Sequence, residues 1–402
     1  MKLAYFVHDL TDPAVRRRVR MLQAGGASPV VLGFRRTEAP PQAIEGAPAI
    51  DLGRTYDGRL GHRARATALA ALTAGRWRAA LEGVHGVMAR TLEMLAVASA
   101  ARRACRLAGP LVYECLDIHR LMLGEGPASK GMRAFERVLL RRSDLLIVSS
   151  PAFLEAYFAA RQGVGRDIAL RTLLVENKVL ELGSEKPARA ARLPSGPPWR
   201  IAWMGAIRCR KSLDILTDLA RRRPDLVEVA IRGRPAYTEF ADFDAQVAAT
   251  PNVRFGGPYA AEDLPGLYAQ AHFAWAIDYM EEGQNSAWLL PNRVYEASRY
   301  GAAPIALGGV QTGRFLAELG VGLRLSSPAK LESVLERLTA ADYQQLRRGL
   351  ACAPASAFVA GEADCRALVE AIRRAVDVRP ARLAAAPQRR PRSNSQLQQP
   401  GL

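Results

Sequence analysis

The sequence predicts an α/β protein of two Rossmann-like domains that face a central cleft. Three observations support this fold class. The chain has 402 residues, which is too long for one ordinary domain and fits two domains of roughly 150–200 residues. Short apolar runs alternate with amphipathic helical patterns, as expected for a doubly wound parallel sheet. A proline-rich break at Lys186–Pro198 separates two such series.

The first series of apolar runs precedes the break and predicts one parallel sheet. Buried parallel strands read as continuous apolar runs, and these segments do. The predicted strands are Leu3–Val7, Pro29–Leu32, Gly86–Ala89, Leu111–Glu114, Leu145–Val148 and Thr172–Val175. Helical patterns such as Pro13–Gln23 and Met132–Arg142 lie between them.

The second series follows the break and predicts a second unit of the same type. Its strands are Arg200–Met204, Val227–Ile231, Val253–Phe255, His272–Ile277, Ala303–Leu307 and Gly322–Leu325. Two such units place a ligand cleft between the carboxyl ends of both sheets. The predicted division is a first domain at 1–185, a linker at 186–198, a second domain at 199–350, a segment at 351–377 ending in the helical pattern Ala363–Val376, and a disordered tail at 378–402.

The charge and the cysteines restrict the class of protein. The formal net charge is +17, which favours an anionic partner, although the codon usage of a GC-rich genome explains the dispersed arginines equally well. Nucleic-acid binding is a weak alternative because no RNP, KH or zinc-finger signature occurs. Five widely spaced cysteines without a CxxC pair indicate reduced thiols in a cytoplasmic protein. The N-terminal segment does not resemble a signal peptide, and no apolar run is long enough to span a membrane.

One basic stretch leaves two interpretations open. Arg59–Leu81 is rich in arginine, alanine and leucine and carries Trp77. Such a segment can lie in the interface of an anionic bilayer. It can equally be a helix that packs on the sheet with its arginines turned outward.

Two glycine-containing stretches follow predicted strands at the same edge of the second sheet. In the first, Gly205 lets a ligand approach the backbone, and Arg208 and Lys211 lie beside a helix start, which suits a diphosphate. In the second, Arg232 and Gly233 follow the next strand. Both stretches can also be ordinary turns with solvated basic residues, since neither matches a Walker loop or the GxGxxG pattern.

The stretch Leu289–Ala306 predicts a proline-started helix, a glycine stop and a short apolar strand. Pro291 fits the first turn of the helix, so Asn292 and Arg293 would lie at its positive end and face an anion. Glu296 follows about one turn later, where a carboxylate can accept hydrogen bonds from both hydroxyls of a ribose. The alternative is an exposed helix glutamate without a ligand.

Polar residues also follow two predicted strands of the first domain. His119 and Asp117 follow the fourth strand, and His8 and Asp9 follow the first. These positions lie at the carboxyl edge that faces the cleft. A lone histidine is more often structural than catalytic, so both interpretations of His119 and His8 remain open.

The order of these motifs resembles a known family. Gly205, Arg208 and Lys211, followed about ninety residues later by Asn292–Ala297 and by the pattern Gly301-x-x-Pro304, resemble the C-terminal domain of GT-B glycosyltransferases. The chain looks most like family-4-type retaining enzymes of bacterial exopolysaccharide biosynthesis. The resemblance extends over nearly the whole chain, to about Asp377.

The resemblance implies roles for individual residues. Arg208 and Lys211 would hold the donor diphosphate, and Glu296 would bind the donor ribose as the second glutamate of an E-x7-E motif. His119, with Asp117 beside it, would face the transferred sugar, and His8 would lie where donor and acceptor approach each other. The usual glycine pair of the loop at His8 is missing.

The chain departs from the family pattern at one position. The first glutamate of E-x7-E should stand eight residues before Glu296, where this sequence has Trp288. Another polar side chain could replace it, or the sugar is held differently, so the stereochemistry and the donor sugar stay open. The candidates for replacement are Asp278, Glu281, Glu282 and Asn285.

The resemblance implies a cytoplasmic enzyme, peripheral at the inner face of the plasma membrane, that moves a hexose from a UDP- or GDP-sugar. The acceptor would be a glycan or a polyprenyl-diphosphate-linked glycan in exopolysaccharide assembly. The first domain would face the acceptor, the second would bind the donor nucleotide, and the last helix would cross back to the first domain. No metal or other cofactor is expected, since cations and backbone N–H groups can stabilise the leaving diphosphate and no DxD motif occurs. The alternatives are an epimerase or hydrolase of the same fold and a basic nucleic-acid-binding protein.

Overall fold

A computed structural model of the protein describes residues 1–56, 60–183 and 193–375. The strands are β1 Lys2–Val7, β2 Ser28–Arg35, β3 Ala43–Ile44, β4 Ala47–Arg54, β5 Gly86–Arg90, β6 Leu111–Cys115, β7 Leu145–Val148, β8 Arg171–Leu174, β9 Val179–Leu180, β10 Trp199–Ile207, β11 Val227–Pro235, β12 Val253–Phe255, β13 Phe273–Trp275, β14 Ala303–Leu307, β15 Leu323–Leu325 and β16 Val359–Ala360. The helices are α1 Pro13–Ala24, α2 Leu60–Leu72, α3 Leu92–Ala104, α4 Pro127–Leu140, α5 Pro151–Phe153, α6 Arg210–Arg222, α7 Phe243–Ala248, α8 Leu264–Ala269, α9 Asn285–Trp288, α10 Asn292–Tyr300, α11 Gln311–Leu319, α12 Leu331–Arg337, α13 Ala340–Cys352 and α14 Glu362–Arg374.

The strands form two parallel sheets, which confirm the predicted fold class. The N-lobe, which contains β1 to β8, has the strand order β3-β4-β2-β1-β5-β6-β7-β8, and only the β3–β4 pair is antiparallel. The C-lobe, which contains β10 to β15, has the order β12-β11-β10-β13-β14-β15, and all its pairs are parallel. In both lobes the order reverses beside the first strand, at β1 and at β10. Ligands bind outside the carboxyl ends of strands at such switch points.

Burial on both faces explains why the strands read as continuous apolar runs. Along β1, Phe6 packs in one hydrophobic cluster and Tyr5 in another on the opposite face of the sheet, and both are fully buried. Helices α3 and α4 cover the first face, and α1 covers the second. An alternation of polar and apolar residues is therefore absent from β1, as the sequence predicted.

The last helix packs on the N-lobe. Helix α14 shares a hydrophobic cluster with α1, and β16, which precedes it, pairs in parallel with β9. A Cβ at Gly25 would lie 2.2 Å from the carbonyl oxygen of Cys365, so the end of α1 needs a glycine for this approach. The cluster residues of α14 are Cys365, Leu368, Val369 and Ile372. The tail predicted at 378–402, the end of the last helical pattern at 376–377, and residues 186–192 of the predicted linker lie outside the described residues.

Candidate active site

The start of helix α10 presents backbone N–H groups at the carboxyl edge of the C-lobe sheet. Pro291 occupies the N-cap position, directly before the helix, and makes no side-chain capping bond. The helix ends at Gly301, whose φ of +89° is the left-handed conformation that favours glycine. The first N–H groups of a helix have no intrahelical acceptor, and their dipoles favour an anion. Asn292, the first helical residue, is exposed there.

Arg293, in the first turn of α10, and Arg232, near the end of β11, both have unused donors. The Nη1 atom of Arg293 is 3.5 Å from the carbonyl oxygen of Met204, and its Nη2 atom is 3.6 Å from Asp278 Oδ2. Arg232, near the end of β11, donates through Nη2 to the carbonyl of Pro258 at 3.2 Å. The Nε atoms of both arginines are buried without a hydrogen-bond partner. Buried cationic donors of this kind suit an anionic ligand.

Glu296 lies one turn further along α10 and is largely buried. The hydroxyl of Tyr268 donates to its Oε2 atom at 3.3 Å. Burial raises the pKa of Glu296 to about 6, while the Tyr268 hydrogen bond and the charges of Arg17 and Arg293 act in the opposite direction. The result is a buried acceptor that can bind the hydroxyl groups of a ligand.

Arg17 brings a further cation to this region from the N-lobe. Its Nη2 atom donates to the carbonyl oxygen of Glu176 at 3.0 Å, and the hydroxyl of Tyr295 in α10 donates to Glu176 Oε1 at 3.0 Å. Glu176 therefore links α1 to α10 across the lobes. Burial, together with two neighbouring arginines, lowers the pKa of Arg17 to about 9, and its Nε atom is buried without a partner. Arg17 was not among the site residues predicted from the sequence.

The predicted diphosphate residues Arg208 and Lys211 lie beside the start of α6. The Nζ atom of Lys211 is 2.9 and 2.7 Å from the carboxylate oxygens of Glu282 and 4.3 Å from the ring centroid of Tyr279. A diphosphate at this position would compete with Glu282 for the lysine. Arg208 is half-buried and, within the described part of the chain, forms no ion pair.

Gly205 and Gly233 lie inside strands, so the prediction that the two strands end before these glycines is wrong. Strand β10 continues to Ile207 and β11 to Pro235, and the two glycines face each other in register. The φ of Gly233 is +143°, and a Cβ there would lie 1.8 Å from the Gly205 carbonyl oxygen. A glycine is thus required at position 233 because the two strands approach too closely there for a side chain. Gly205 has a φ of +107°, and the nearest atom to a Cβ there would be the Tyr259 hydroxyl oxygen at 4.0 Å, so a ligand can still approach its backbone.

The N-lobe residues Asp117 and His119 lie at the carboxyl edge of β6, close to the C-lobe. Asp117 Oδ1 accepts a hydrogen bond from the Nδ2 atom of Asn285, and Asn285 Oδ1 accepts from the backbone N–H of Ile118 at 3.3 Å. Asn285 is buried, so this bridge joins the two lobes. His119 reaches solvent and its Nδ1 atom accepts from the N–H of Leu121 at 3.2 Å. Its Nε2 atom is the one left for a ligand.

His8 lies at the carboxyl end of β1, beside the switch point of the N-lobe. Its Nε2 atom is 3.4 Å from Asp12 Oδ2, and its Nδ1 atom is buried without a hydrogen-bond partner. Burial lowers the pKa of His8, which favours the neutral imidazole. The neighbouring Asp9 accepts from the N–H and hydroxyl of Thr11, so it stabilises the loop.

A buried ionic cluster lies under this edge of the N-lobe. Glu114 accepts hydrogen bonds from Arg18 Nε at 2.6 Å, Arg90 Nε at 2.8 Å and the Tyr5 hydroxyl at 2.6 Å. Burial alone would raise the pKa of Glu114, but the two guanidinium groups lower it to about 2. The cluster is internally satisfied and fixes the position of α1 relative to β6.

Trp288, at the expected position of the first glutamate, is a contact between the lobes. Its side chain packs against the N-lobe core, and its carbonyl oxygen accepts a hydrogen bond from the hydroxyl of Ser150. An apolar residue fits this position because the short helix α9 is pressed against the N-lobe.

Among the four residues that could replace the missing glutamate, Glu281 is the one left available. Asp278 accepts hydrogen bonds from the Ser286 hydroxyl and the Met280 N–H, while Glu282 and Asn285 are engaged as described above. The Glu281 carboxylate makes no hydrogen bond or ion pair with residues 1–56, 60–183 or 193–375. Burial and the nearby Asp117 carboxylate raise its pKa.

No group of three His, Cys, Asp or Glu side chains that could hold a metal ion occurs within the described ranges. In the same part of the chain, no helix combines the length and the apolar character needed to cross a bilayer. All five cysteines have free thiols.

Comparison with known proteins gives the family. The chain is 46% identical over 380 residues to the succinoglycan biosynthesis protein ExoL of Rhizobium meliloti (strain 1021), and the match covers 92% of each protein. The chain belongs to the ExoL family. No protein-family model matches it.

Solved structures similar to this ExoL-family chain identify its fold as GT-B. Sucrose-phosphate synthase from Thermosynechococcus elongatus has a TM-score of 0.66 at 15% identity, covering 94% of this chain and 97% of that one. A UDP-forming α,α-trehalose-phosphate synthase from Burkholderia vietnamiensis has a TM-score of 0.61 at 13% identity, covering 93% and 100%. Anabaena HepE, solved with UDP and glucose, has a TM-score of 0.57 at 18% identity, covering 94% and 96%. Family and fold together confirm the prediction of a GT-B glycosyltransferase of exopolysaccharide biosynthesis.

Proposed function

We propose that this ExoL-family protein transfers a hexose from a UDP- or GDP-sugar to a glycan acceptor carried on a polyprenyl diphosphate. One observation carries the proposal. Arg17 and Arg293 each have a buried Nε atom without a partner near the carboxylate of Glu296, and Arg232, whose Nε atom is also buried and unpartnered, lies with Arg293 and Glu296 around Tyr259. Such a group of cations beside one buried hydroxyl acceptor suits a nucleoside diphosphate. UDP is the first donor nucleotide to test, since HepE was solved with UDP-glucose.

In this proposal the donor diphosphate lies at the start of α10, against Arg293 and the N–H groups of the first turn. Glu296 accepts hydrogen bonds from the ribose hydroxyls. Arg208 and Lys211 stabilise the charge that develops on the leaving diphosphate. Lys211 leaves its ion pair with Glu282 and binds the diphosphate instead. These cations act at the position where a divalent ion would otherwise serve.

The transferred sugar lies between the lobes in this proposal. His119 and Asp117 face it from the N-lobe, and Glu281 takes the place of the first glutamate of E-x7-E. His8 contacts the acceptor side. Retention of configuration belongs to the proposal because the family resemblance implies it, and NMR of the anomeric proton in the product tests it.

The acceptor side of the proposal concerns the N-lobe and the membrane. A polyprenyl-diphosphate-linked glycan requires an enzyme that works at the inner face of the plasma membrane. The net charge of +17 is compatible with an anionic lipid surface there. We assign the protein to the cytoplasm, peripheral at that membrane.

The site is tested by thermal shift against UDP-, GDP- and ADP-sugars and by hexose transfer to a lipid-linked glycan. A ligand that binds only the folded protein raises its melting temperature. Glu296→Ala and Lys211→Ala should lose both responses, whereas the exposed controls Glu318→Ala and Lys330→Ala should keep them. Normal activity in both site variants would contradict the site. Sugar release that does not depend on an acceptor would instead favour the epimerase or hydrolase alternative.

A further inference from the structure

Helix α4 buries charged residues beside its core leucines, Leu139 and Leu140, and exposes three large apolar residues. Arg133 and Glu136 are buried against the N-lobe. Met132, Phe135 and Val138 point outward and are 37%, 44% and 43% exposed. Ordinary surface helices show the opposite arrangement, with the apolar stripe facing the core. We call the outward set of Met132, Phe135 and Val138 the α4 stripe.

The inner side of α4 is held in place by hydrogen bonds. Arg133 Nη1 donates to the carbonyl oxygens of Met122 and Gly124 at 2.9 and 2.5 Å. Glu136 accepts from a ring of buried donors at 2.5 to 2.9 Å, namely Tyr113, Tyr157 and Gln162. Rotation of the helix to bury the stripe would leave these groups unpaired, which is costly. The orientation that exposes the stripe is therefore the stable one.

Basic residues predominate around the α4 stripe, and the two exposed carboxylates near α4, Glu125 and Asp167, are paired with arginines. Lys130, Arg141 and Arg142 are exposed, and none of them forms an ion pair with another described residue. Glu136 is the sole acidic residue between Pro127 and Arg142, and it faces inward. An outward face with apolar side chains and an excess of cations over carboxylates is complementary to an anionic lipid surface.

The α4 stripe lies close to the cleft. Leu121, which is 37% exposed, belongs to the short 3₁₀ helix Arg120–Met122 that follows His119 and contacts α4. Apolar surface therefore extends from the loop of His119 along α4. A bilayer on this surface would bring a headgroup, or the diphosphate of a lipid-linked glycan, next to the mouth of the cleft.

We propose that the α4 stripe and its flanking cations dock the protein on an anionic bilayer. This inference deepens the proposed function by naming the membrane-facing surface, and it depends on that function only for the lipid-linked acceptor. It differs from the surface considered from the sequence at Arg59–Leu81, in which Leu69 and Leu72 are 62% and 85% exposed. Trp77 of that stretch is buried and packs edge-to-face on Phe6 with ring centroids 6.1 Å apart, so it does not reach a membrane. Arg59 itself lies outside the described residues.

The surface is tested by co-sedimentation of the full chain with phosphatidylcholine vesicles. One set of vesicles also contains phosphatidylglycerol at about 30 mol%, which mimics an anionic leaflet. The wild type should bind only the anionic vesicles. The triple variant Lys130→Gln, Arg141→Gln, Arg142→Gln should bind roughly 100-fold more weakly, as the loss of three interfacial cations implies. The triple variant Met132→Ser, Phe135→Ser, Val138→Ser should bind at least roughly tenfold more weakly, because three apolar side chains no longer enter the interface. The matched control replaces the exposed Leu69 and Leu72 of α2 by serine and should bind like the wild type.

The outcomes separate this inference from the proposed function. A UDP thermal shift that is equal in all variants shows that the fold and the donor site are intact. The inference would be overturned if the wild type did not bind anionic vesicles, or if only the α2 control variant weakened binding. Neither result would affect the donor site. A wild-type dimer in light scattering that the α4 serine variant abolishes would also overturn the inference, because the stripe would then bind a second copy of the chain.

Discussion

The replacement Glu296→Gln tests two effects of this carboxylate separately: it lowers the stability of the folded protein, and it binds the nucleotide. In the folded protein the pKa of Glu296 is about 6, compared with 4.5 for a solvated glutamate. A raised carboxyl pKa means that ionisation destabilises the fold. The stability contributed by the protonated group is fully present below pH 4.5 and is lost as the pH rises through about 6.

The magnitude follows from the two pKa values. Their difference of 1.5, at about 1.36 kcal/mol per pH unit, gives an upper limit of roughly 2 kcal/mol at neutral pH. Glu296→Gln should therefore raise the free energy of unfolding by up to about 2 kcal/mol at pH 7.5 and change it little at pH 4.5. Urea denaturation followed by tryptophan fluorescence at both pH values measures this difference.

The same substitution should weaken nucleotide binding. Hydrogen bonds from ribose hydroxyls to a carboxylate are each worth about 1.5–3 kcal/mol, so UDP affinity should fall roughly 10- to 100-fold in calorimetric titration at pH 7.5. The wild-type affinity should also fall as the pH drops below about 6, and the variant should show no such dependence. A variant that is less stable at pH 7.5 and binds UDP normally would refute this account of Glu296.

Three other substitutions probe separate parts of the structure. Arg17→Gln should weaken UDP about tenfold but leave uridine unchanged, with exposed Arg16→Gln as control; equal losses for both ligands in calorimetry would contradict a diphosphate contact. Glu114→Gln should lower the free energy of unfolding by about 3–5 kcal/mol, because it leaves two buried arginines unpaired. Since the pKa of Glu114 in the folded protein is about 2, the wild type should be the more stable protein above pH 4.5 and should lose this advantage as the pH falls towards 2. An unchanged urea midpoint at pH 7 would disprove the role of the cluster. Gly233→Ala should lower the melting temperature by several degrees, because the new Cβ would collide with the Gly205 carbonyl oxygen on the neighbouring strand. In a chain of this size each kcal/mol of destabilisation lowers the melting temperature by about 4 °C or less. Gly266→Ala should leave the melting temperature unchanged, because nothing lies within 4 Å of a Cβ at that position.

The sequence was sufficient for the fold because the relevant signals are local. Continuous apolar runs identify strands that are covered on both faces, and the strand Leu145–Val148 has the predicted bounds. Proline and glycine mark the two ends of α10 for reasons of backbone geometry, so its position was predictable. The predicted strand His272–Ile277 is longer than the observed Phe273–Trp275, since buried apolar residues continue into the loop that follows.

Other parts of the site depend on tertiary packing and left no local signal. Arg16, Arg17 and Arg18 are consecutive, yet one is exposed, one faces the cleft and one is buried on Glu114. Only the rotation of α1 on the sheet distinguishes them. The glycines at 205 and 233 read as turns because their strand pairing is invisible in sequence. The short strands β3, β9 and β16 were also missed, since two residues are too few for a periodic pattern.

The central claim is that the group around Glu296 holds a nucleotide-sugar whose hexose passes to a lipid-linked glycan. Incubation of the full chain with radiolabelled UDP-glucose and GDP-mannose, a polyprenyl-diphosphate-linked glycan and anionic vesicles measures it directly. The account predicts that label from one of these donors enters the lipid phase with the wild type and with Glu318→Ala, but not with Arg293→Gln or Glu296→Ala. Equal incorporation by wild type and Arg293→Gln would contradict it.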